Sequence, residues 1–378
     1  RGLGDVYKRQ IIFSVQSPGI GLLDQDNIDM MVDQWGIFQR EAGVISSLVQ
    51  VGATTQVTKD PGNRLPEAVR ITRSQSHVDD VPSFAREAMD EIVADLNHAV
   101  PKIDQWVTAT FSAKPNREAG TGARSKEELA EDIATLIPGM IGQLRASSGG
   151  TVSLLDAQDV VDQVHTAYNP AVAAAVESAR LSGEGTGLTW GEVGPTNAKL
   201  TPGWWEHSGF FSKSWQMFQP PASNFQETGL TSLLSPNDIF EQKRVTILYR
   251  PMSPARSQKV VQNQVANATF GQNQKGQRPS QIKKIAVEKA ERAEREQAEG
   301  AAMVRFGLVV TGTVDTPEKF PRAEAILRDQ AVAGIQLRLR DCENSDDAAF
   351  AFGLGIGAVP KDFCLLYTSD AADERFSV

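Results

Sequence analysis

Apolar residues along this chain follow two spacings, one helical and one extended. Ile28, Met31, Val32, Trp35 and Phe38 recur three and four positions apart, which predicts an amphipathic helix with one apolar stripe. Similar patterns predict helices over residues 84–96, 125–137, 157–168, 171–181, 228–234 and 316–333. Alternating or continuous apolar runs predict strands over residues 44–51, 69–73, 106–113, 152–155, 211–218, 243–250, 304–314 and 335–340.

The order of these elements predicts the fold class and the domain division. Strands and helices alternate, which favours an α+β protein of two open α/β sandwich domains, with mixed or antiparallel sheets that helices cover on one side. A Gly/Pro-rich linker at 183–202 is expected to separate a first domain, 11–182, from a second, 203–363. Residues 1–10 and 364–378 resemble translated sequencing-adapter strings, and we interpret both as assembly artefacts outside the two domains.

Short polar motifs indicate where two helices begin. Ser125 and Glu128 have the spacing of a capping box, and Asp156 is placed to cap the helix over 157–168. Pro138 falls inside the run that the capping box opens, and we expect it to kink or interrupt that helix.

The segment over 255–303 is long, helical in propensity and locally basic. It carries nine Lys or Arg residues against five Glu residues, although the 378-residue chain has a net charge of −9. One interpretation is a solvated helix with ion pairs such as Glu288 with Arg292 and Glu291 with Arg295. The other is a projecting arm that contacts a partner subunit, anionic lipid or DNA. The candidate contact residues are Lys283, Lys284, Lys289, Arg292 and Arg295.

Two neighbouring tryptophans, Trp204 and Trp205, head an aromatic cluster that also contains Trp215. Aromatic residues at this density build a core in one interpretation. In the other, an exposed remnant supplies a protein interface, so Trp204 and Trp205 are also candidate partner contacts.

Motifs for phosphate, metal or cofactor binding are not found in the sequence. The pattern Gly-x-x-x-x-Gly-Lys-Ser/Thr does not occur, and we interpret the glycine run from Gly353 to Gly357 as a turn or hinge. The four histidines and two cysteines lack metal-ligand spacing, and the neighbouring Asp346 and Asp347 are interpreted as solvated cap residues. We therefore expect no cofactor and no metal site.

Nucleophilic catalysis and membrane insertion also lack a sequence signal. Ser212 and Ser214 follow His207 closely, but proximity in sequence does not make a triad, and no Gly-x-Ser-x-Gly elbow is present. No run of 18 apolar residues and no signal-peptide pattern occurs. The net acidity argues against a dedicated nucleic-acid binder, so DNA contact is not expected.

The second half of the chain resembles a known family through the order of its elements. The residues that carry the resemblance are Gly203-Trp204-Trp205, the strand and turn at 243–255, the charged helical segment, Val304-Arg305-Phe306, and the run at 336–340. In the first half Trp35, 137–139 and 188–190 agree. Over residues 16–360 this order resembles an actinobacterial family of conjugation-associated proteins. Their soluble region is similar to the N-terminal domain of the VirB-type traffic ATPase of type IV secretion.

The resemblance implies a function without chemistry of its own. It suggests a structural or interaction component of a conjugative apparatus at the cytoplasmic face of the membrane, with membrane-spanning segments expected ahead of the sequence. Its partners would be a secretion or conjugation ATPase and membrane components, with self-association as a further option. The alternative is the front end of a complete traffic ATPase whose motor domain follows this sequence.

Overall fold

The computed structural model describes residues 8–19, 23–59, 64–75, 81–96, 101–114, 122–183, 185–219, 227–272, 281–298 and 303–359. Within these residues the protein is an α+β fold with one large open antiparallel sheet of ten strands and eleven α-helices packed on it. The α+β class is therefore confirmed. The sequence predicted two sheets, whereas the described residues form one.

The strands are short at the edges of the sheet and longer towards its middle. In chain order they are β1 (Lys8–Gln16), β2 (Leu48–Thr58), β3 (Lys102–Ser112), β4 (Thr151–Leu154), β5 (Ala198–Thr201), β6 (Trp204–His207), β7 (Phe210–Gln219), β8 (Gln242–Pro251), β9 (Val304–Val314) and β10 (Arg338–Asp341). Their spatial order is β4-β1-β3-β2-β8-β9-β7-β6-β5, and β10 also pairs with β7. The start of β7 pairs with β6 and its end with β10.

Seven of the eleven helices in the described residues lie where the apolar spacing of the sequence predicted them. The eleven are α1 (Gln25–Val44), α2 (Arg64–Gln75), α3 (Ser83–Leu96), α4 (Lys126–Ser148), α5 (Ala157–Tyr168), α6 (Ala173–Leu181), α7 (Thr231–Leu234), α8 (Pro254–Gln272), α9 (Gln281–Ala298), α10 (Phe320–Ile335) and α11 (Asp346–Gly353). Both predicted caps form: Ser125 Oγ accepts from the Glu128 amide at 3.1 Å, and Asp156 Oδ1 accepts from the Asp159 amide at 2.7 Å.

The strand predicted over residues 69–73 is wrong, and the interruption expected at Pro138 does not occur. The run at 69–73, predicted as extended, is part of α2. Pro66 lies in the first turn of that helix, where a missing amide hydrogen costs no intrahelical bond. Helix α4 also continues past Pro138, since buried Ile133 and Met140 anchor it on either side of the proline.

The chain forms two compact units that interleave along the sequence. Unit 1 comprises Arg1–Gly52, Thr108–Ser153 and Leu248–Phe306, and unit 2 comprises Ala53–Val107, Leu154–Ile247 and Gly307–Val378. In unit 1, helices α1 and α4 pack on each other, and the fully buried side chains include Phe13, Phe38, Phe111 and Leu144.

Unit 2 buries both faces of its strands, although the sequence predicted cover on one side. One face is apolar and packs under α7 and α10; its buried residues are Trp215, Leu233, Val245, Leu308, Val310, Leu327, Ala331, Leu337 and Leu339. The opposite face is polar, and its buried residues include Thr54, Gln56, Ser212, Ser214, Arg244, Thr246, Thr311 and Thr313. We call the second set the polar face. Because each strand alternates its side chains, the two sets occupy successive positions.

Candidate functional site

The predicted partner contacts on the basic segment lie on a helical hairpin in unit 1. We call α8 and α9 together the arm. It connects β8 to β9, which are neighbours in the sheet, and the Met252 amide donates to the Met303 carbonyl at 3.0 Å at its base. At 1.5 Å per residue the 19 residues of α8 and the 18 of α9 each span roughly 27 Å.

The arm holds together through a narrow seam of small side chains. On α8 the least exposed positions are spaced three or four apart and include Ser257, Val261, Val265 and Ala268. The corresponding positions on α9 are Val287, Ala290, Ala293 and Gln297. The two helices pack on each other, and small residues allow their backbones to approach closely. Apart from the partly buried Val260, the other side chains that the structure describes on these two helices are exposed, which matches the polar composition of the segment.

The candidate cations occupy the exposed part of α9. Lys284, Lys289, Arg292 and Arg295 are exposed, whereas the side chain of Lys283 lies outside the described part of the chain. Arg292 donates to Glu296 Oε1 at 2.7 Å, so its ion pair is with this residue rather than with the predicted Glu288. Such an exposed pair contributes less than about 1 kcal/mol. The face is therefore available for contacts with another molecule.

The two candidate tryptophans belong to unit 2 and lie in its core. Trp204 is half-buried and stacks on Phe320 with ring centroids 6.1 Å apart. Trp205 is buried and meets Tyr168 and Phe350 at centroid distances of 5.8 and 4.9 Å. This placement matches the core interpretation of the aromatic cluster.

His207 and Ser212, which the sequence brings close, are bonded in the structure. His207 Nε2 lies 2.7 Å from Ser212 Oγ, and Nδ1 lies 2.7 Å from the Tyr168 carbonyl oxygen. A carbonyl only accepts, so Nδ1 carries the proton and Nε2 accepts from the serine hydroxyl. Ser212 Oγ in turn accepts from Thr313 Oγ1 at 2.8 Å. The three side chains form one directed hydrogen-bond relay.

This relay lacks the access for substrate and the carboxylate partner that a catalytic serine–histidine pair needs. His207 and Ser212 are both 0% exposed, so no substrate reaches the hydroxyl in this structure. Burial lowers the pKa of His207 to about 4, which keeps the imidazole neutral. Its second partner is a backbone carbonyl rather than a carboxylate. The relay therefore satisfies buried polar groups across β6, β7 and β9 rather than activating Ser212.

Arg244 is the most strongly buried cation on the polar face. Its Nη1 donates to Gln242 Oε1 at 2.8 Å and to Gln56 Oε1 at 3.4 Å, while Nε and Nη2 have no partner. The Phe350 ring lies 4.6 Å from the guanidinium carbon, a cation–π contact. Burial lowers the pKa of Arg244 to about 9, still above neutral pH, so the charge is retained.

The glycine-rich segment from Gly353 to Gly357 covers the polar face. Thr246 Oγ1 donates to the Gly353 carbonyl at 2.9 Å, and Trp106 Nε1 donates to the Gly355 carbonyl at 3.2 Å. A Cβ on Gly353 would lie 2.6 Å from Thr311 Oγ1. The glycines are thus required for close backbone approach to the sheet. The segment therefore has a structural role, the covering of the polar face, which its sequence did not indicate.

Asp346, interpreted from sequence as a solvated cap, is buried at the start of α11. Its Oδ1 accepts from the Ser214 amide at 2.9 Å, whereas Oδ2 has no partner. Burial raises the pKa of Asp346 to about 6, because the ionised carboxylate has lost most of its water. The nearby Cys342 thiol is also buried, and burial raises its pKa to about 12. A thiol with this pKa is a poor nucleophile.

A small polar cavity opens beside the polar face in unit 2. Its volume is about 40 Å³, and it is lined by Gln56, Lys102, Asp162, Glu177 and Arg180 among others. Lys102 pairs with Glu177 at 2.7 Å. Space of this size suits a few water molecules rather than a substrate.

Among the described residues, no group of three His, Cys, Asp or Glu side chains could hold a metal ion. No helix in the described ranges is long and apolar enough to cross a membrane. The chain matches no protein-family model and shows no significant match to a curated protein.

Proposed function

We propose that this chain is a non-catalytic structural and interaction component of a type IV secretion-like conjugative transfer apparatus, at the cytoplasmic face of the membrane. The observation that carries the proposal is the arm, a helical hairpin whose described outward positions are exposed on both helices. Its partners in this proposal are the transfer ATPase and membrane components of the apparatus. The order of elements that resembles the conjugation-associated family supplies the biological context.

The charge pattern of α9 supports a protein partner. Its exposed residues alternate in sign over the second half of the helix: Glu288, Lys289, Glu291, Arg292, Glu294, Arg295 and Glu296. A mixed pattern of this kind selects a complementary mixed surface and fixes the register of docking. A polyanion such as DNA would instead be attracted by an unmixed cationic face.

The interior of unit 2 supports a role without chemistry. The Ser212–His207 pair is sealed from solvent, and the sequence holds no phosphate-binding loop. We therefore expect purified chain to show no ATP turnover above the buffer background. Turnover that co-purifies with the chain through successive columns would contradict this part of the proposal.

The interaction is tested by site-specific photo-crosslinking in donor cells. A benzophenone amino acid replaces Lys289 or Arg295 on the arm, and Glu131, an exposed residue on α4 of the same unit, is the matched control. We expect ultraviolet light to link the arm positions, but not Glu131, to the transfer ATPase or another defined component of the apparatus. Mass spectrometry identifies the linked peptide.

A genetic readout decides whether the contact matters for transfer. Donor cells without the gene, and donor cells with Lys289→Glu and Arg295→Glu together, are expected to transfer DNA at reduced frequency. The charge-reversed chain is first shown to melt at the wild-type temperature, since its altered side chains are exposed. Wild-type transfer frequency in cells that lack the gene would refute the proposed function.

A further inference from the structure

The far end of the arm differs from the rest of its surface in exposing large apolar side chains. Phe270, near the end of α8, is 73% exposed, and Ile285, in the first turns of α9, is 49% exposed. Both positions lie next to residues 273–280, which connect the helices, so they belong to the same end of the hairpin. Lys284 is exposed beside Ile285. We call Phe270, Lys284 and Ile285 the tip.

Charge is distributed unevenly along the arm. From residue 254, where α8 begins, to residue 287 the sequence contains six Lys or Arg residues and no Asp or Glu. The four glutamates of α9 begin only at Glu288 and lie on the side of the helix away from its first turns. The tip is therefore a cationic and apolar end on a chain whose net charge is −9.

We propose that the tip docks on an anionic phospholipid surface. Lysines beside a membrane are attracted by anionic headgroups, and exposed aromatic and aliphatic side chains enter the boundary between headgroups and acyl chains. The tip presents both kinds of group together. The roughly 27 Å length of each helix carries it well beyond the base of the arm.

Nucleic acid fits the tip less well than lipid does. A phosphate backbone would use Lys284 but would gain nothing from burying Phe270 and Ile285 on a helical surface. A membrane uses all three side chains. Substitution of Phe270 is therefore expected to weaken binding to a membrane but not to a DNA duplex, so experiment can separate the two partners.

The inference goes beyond the proposed function and is tested without it, using purified full chain and lipid vesicles. Vesicles of phosphatidylcholine with one quarter phosphatidylglycerol are sedimented with the protein in about 0.1 M salt, and pure phosphatidylcholine vesicles serve as the comparison. We expect binding to the anionic vesicles and at least tenfold weaker binding to the neutral ones. Absence of binding to the anionic vesicles, or equal binding to both, would overturn the inference.

Two substitutions and two matched controls locate the contact. Lys284→Gln is expected to weaken vesicle binding about fivefold, and Phe270→Ser about tenfold. The controls are Lys259→Gln, an exposed lysine near the base of α8, and Phe84→Ser, in which Phe84 is 76% exposed on α3. Both are expected to bind vesicles like the wild type. Equal losses in the controls would overturn the assignment to the tip.

Binding to a short DNA duplex tests the alternative that the tip contacts nucleic acid. If the tip were a nucleic-acid contact, Lys284→Gln would weaken duplex binding while Phe270→Ser would leave both duplex and vesicle binding unchanged. That pair of results would overturn the lipid assignment. The vesicle assay does not depend on the transfer apparatus, so failure of this inference is distinguishable from failure of the proposed function.

Discussion

The substitution Gly355→Ala tests how closely the glycine-rich segment packs on the polar face. Gly355 has φ +64°, in the left-handed region, where a residue with a Cβ loses about 1 to 2 kcal/mol. The added Cβ would fall inside the van der Waals contact of Thr54 Oγ1 and lie 2.8 Å from Trp106 Nε1. The segment would have to move away from the sheet to accept it.

The expected loss combines three effects. Backbone strain, overpacking and the weakened Trp106 hydrogen bond together give a destabilisation of about 3 to 5 kcal/mol. With a slope of about 2 to 3 kcal/mol per molar urea, the unfolding midpoint is expected to fall by about 1 M or more. Urea unfolding is followed by far-ultraviolet circular dichroism and by tryptophan fluorescence, to which Trp106 contributes as one of six tryptophans.

A matched glycine separates strain from collision. Gly187 also has a positive φ, +70°, but a Cβ built on it meets nothing within 4 Å. Gly187→Ala is therefore expected to cost only the backbone strain, about 1 to 2 kcal/mol. Thr54→Ala combined with Gly355→Ala is expected to recover part of the larger loss, because it removes the nearest colliding atom. Equal losses for the two glycine variants, with no recovery, would refute the close packing of this segment.

Three further predictions follow from buried or capping groups. Burial lowers the pKa of His207 from 6.5 to about 4. As the pH falls, His207 is therefore protonated in the unfolded chain before it is protonated in the folded chain. Stability is then expected to fall as pH drops from about 6.5 to about 4, by up to roughly 3 kcal/mol, and His207→Gln should flatten this part of the pH profile. The pH dependence that Asp346 contributes has the opposite sign. Burial raises its pKa from 3.8 to about 6, so ionisation of the carboxyl at pH 7 disfavours folding. Asp346→Asn should therefore stabilise by about 1 to 2 kcal/mol at pH 7, with no gain below about pH 4 in the same urea assay. Removing the cap of α4 with Ser125→Ala should lower stability by about 1 kcal/mol, whereas Ser125→Gly should lose only about a few tenths; equal losses would argue against the cap.

The sequence was informative about features that depend on neighbours in the chain. The stripe from Ile28 to Phe38 predicted α1, and the spacing of Ser125 and Glu128 predicted a capping box that the structure contains. These predictions succeed because helix faces and caps are set by side chains three or four positions apart. The exposed cations of α9 could likewise be proposed from composition and helical spacing alone.

Features that depend on distant residues were decided only by tertiary structure. Thr and Ser at alternate positions of β7 and β9 suggest that this face of the sheet is solvated. Instead, residues from α11 onwards bury it. One of them, Gly355, lies some 40 positions after the end of β9. The Ser212–His207 relay needs Thr313, about 100 residues away, to be complete. Local pattern determines which face of a strand is polar, whereas the free energy of burying that face depends on hydrogen-bond partners that only the folded chain supplies.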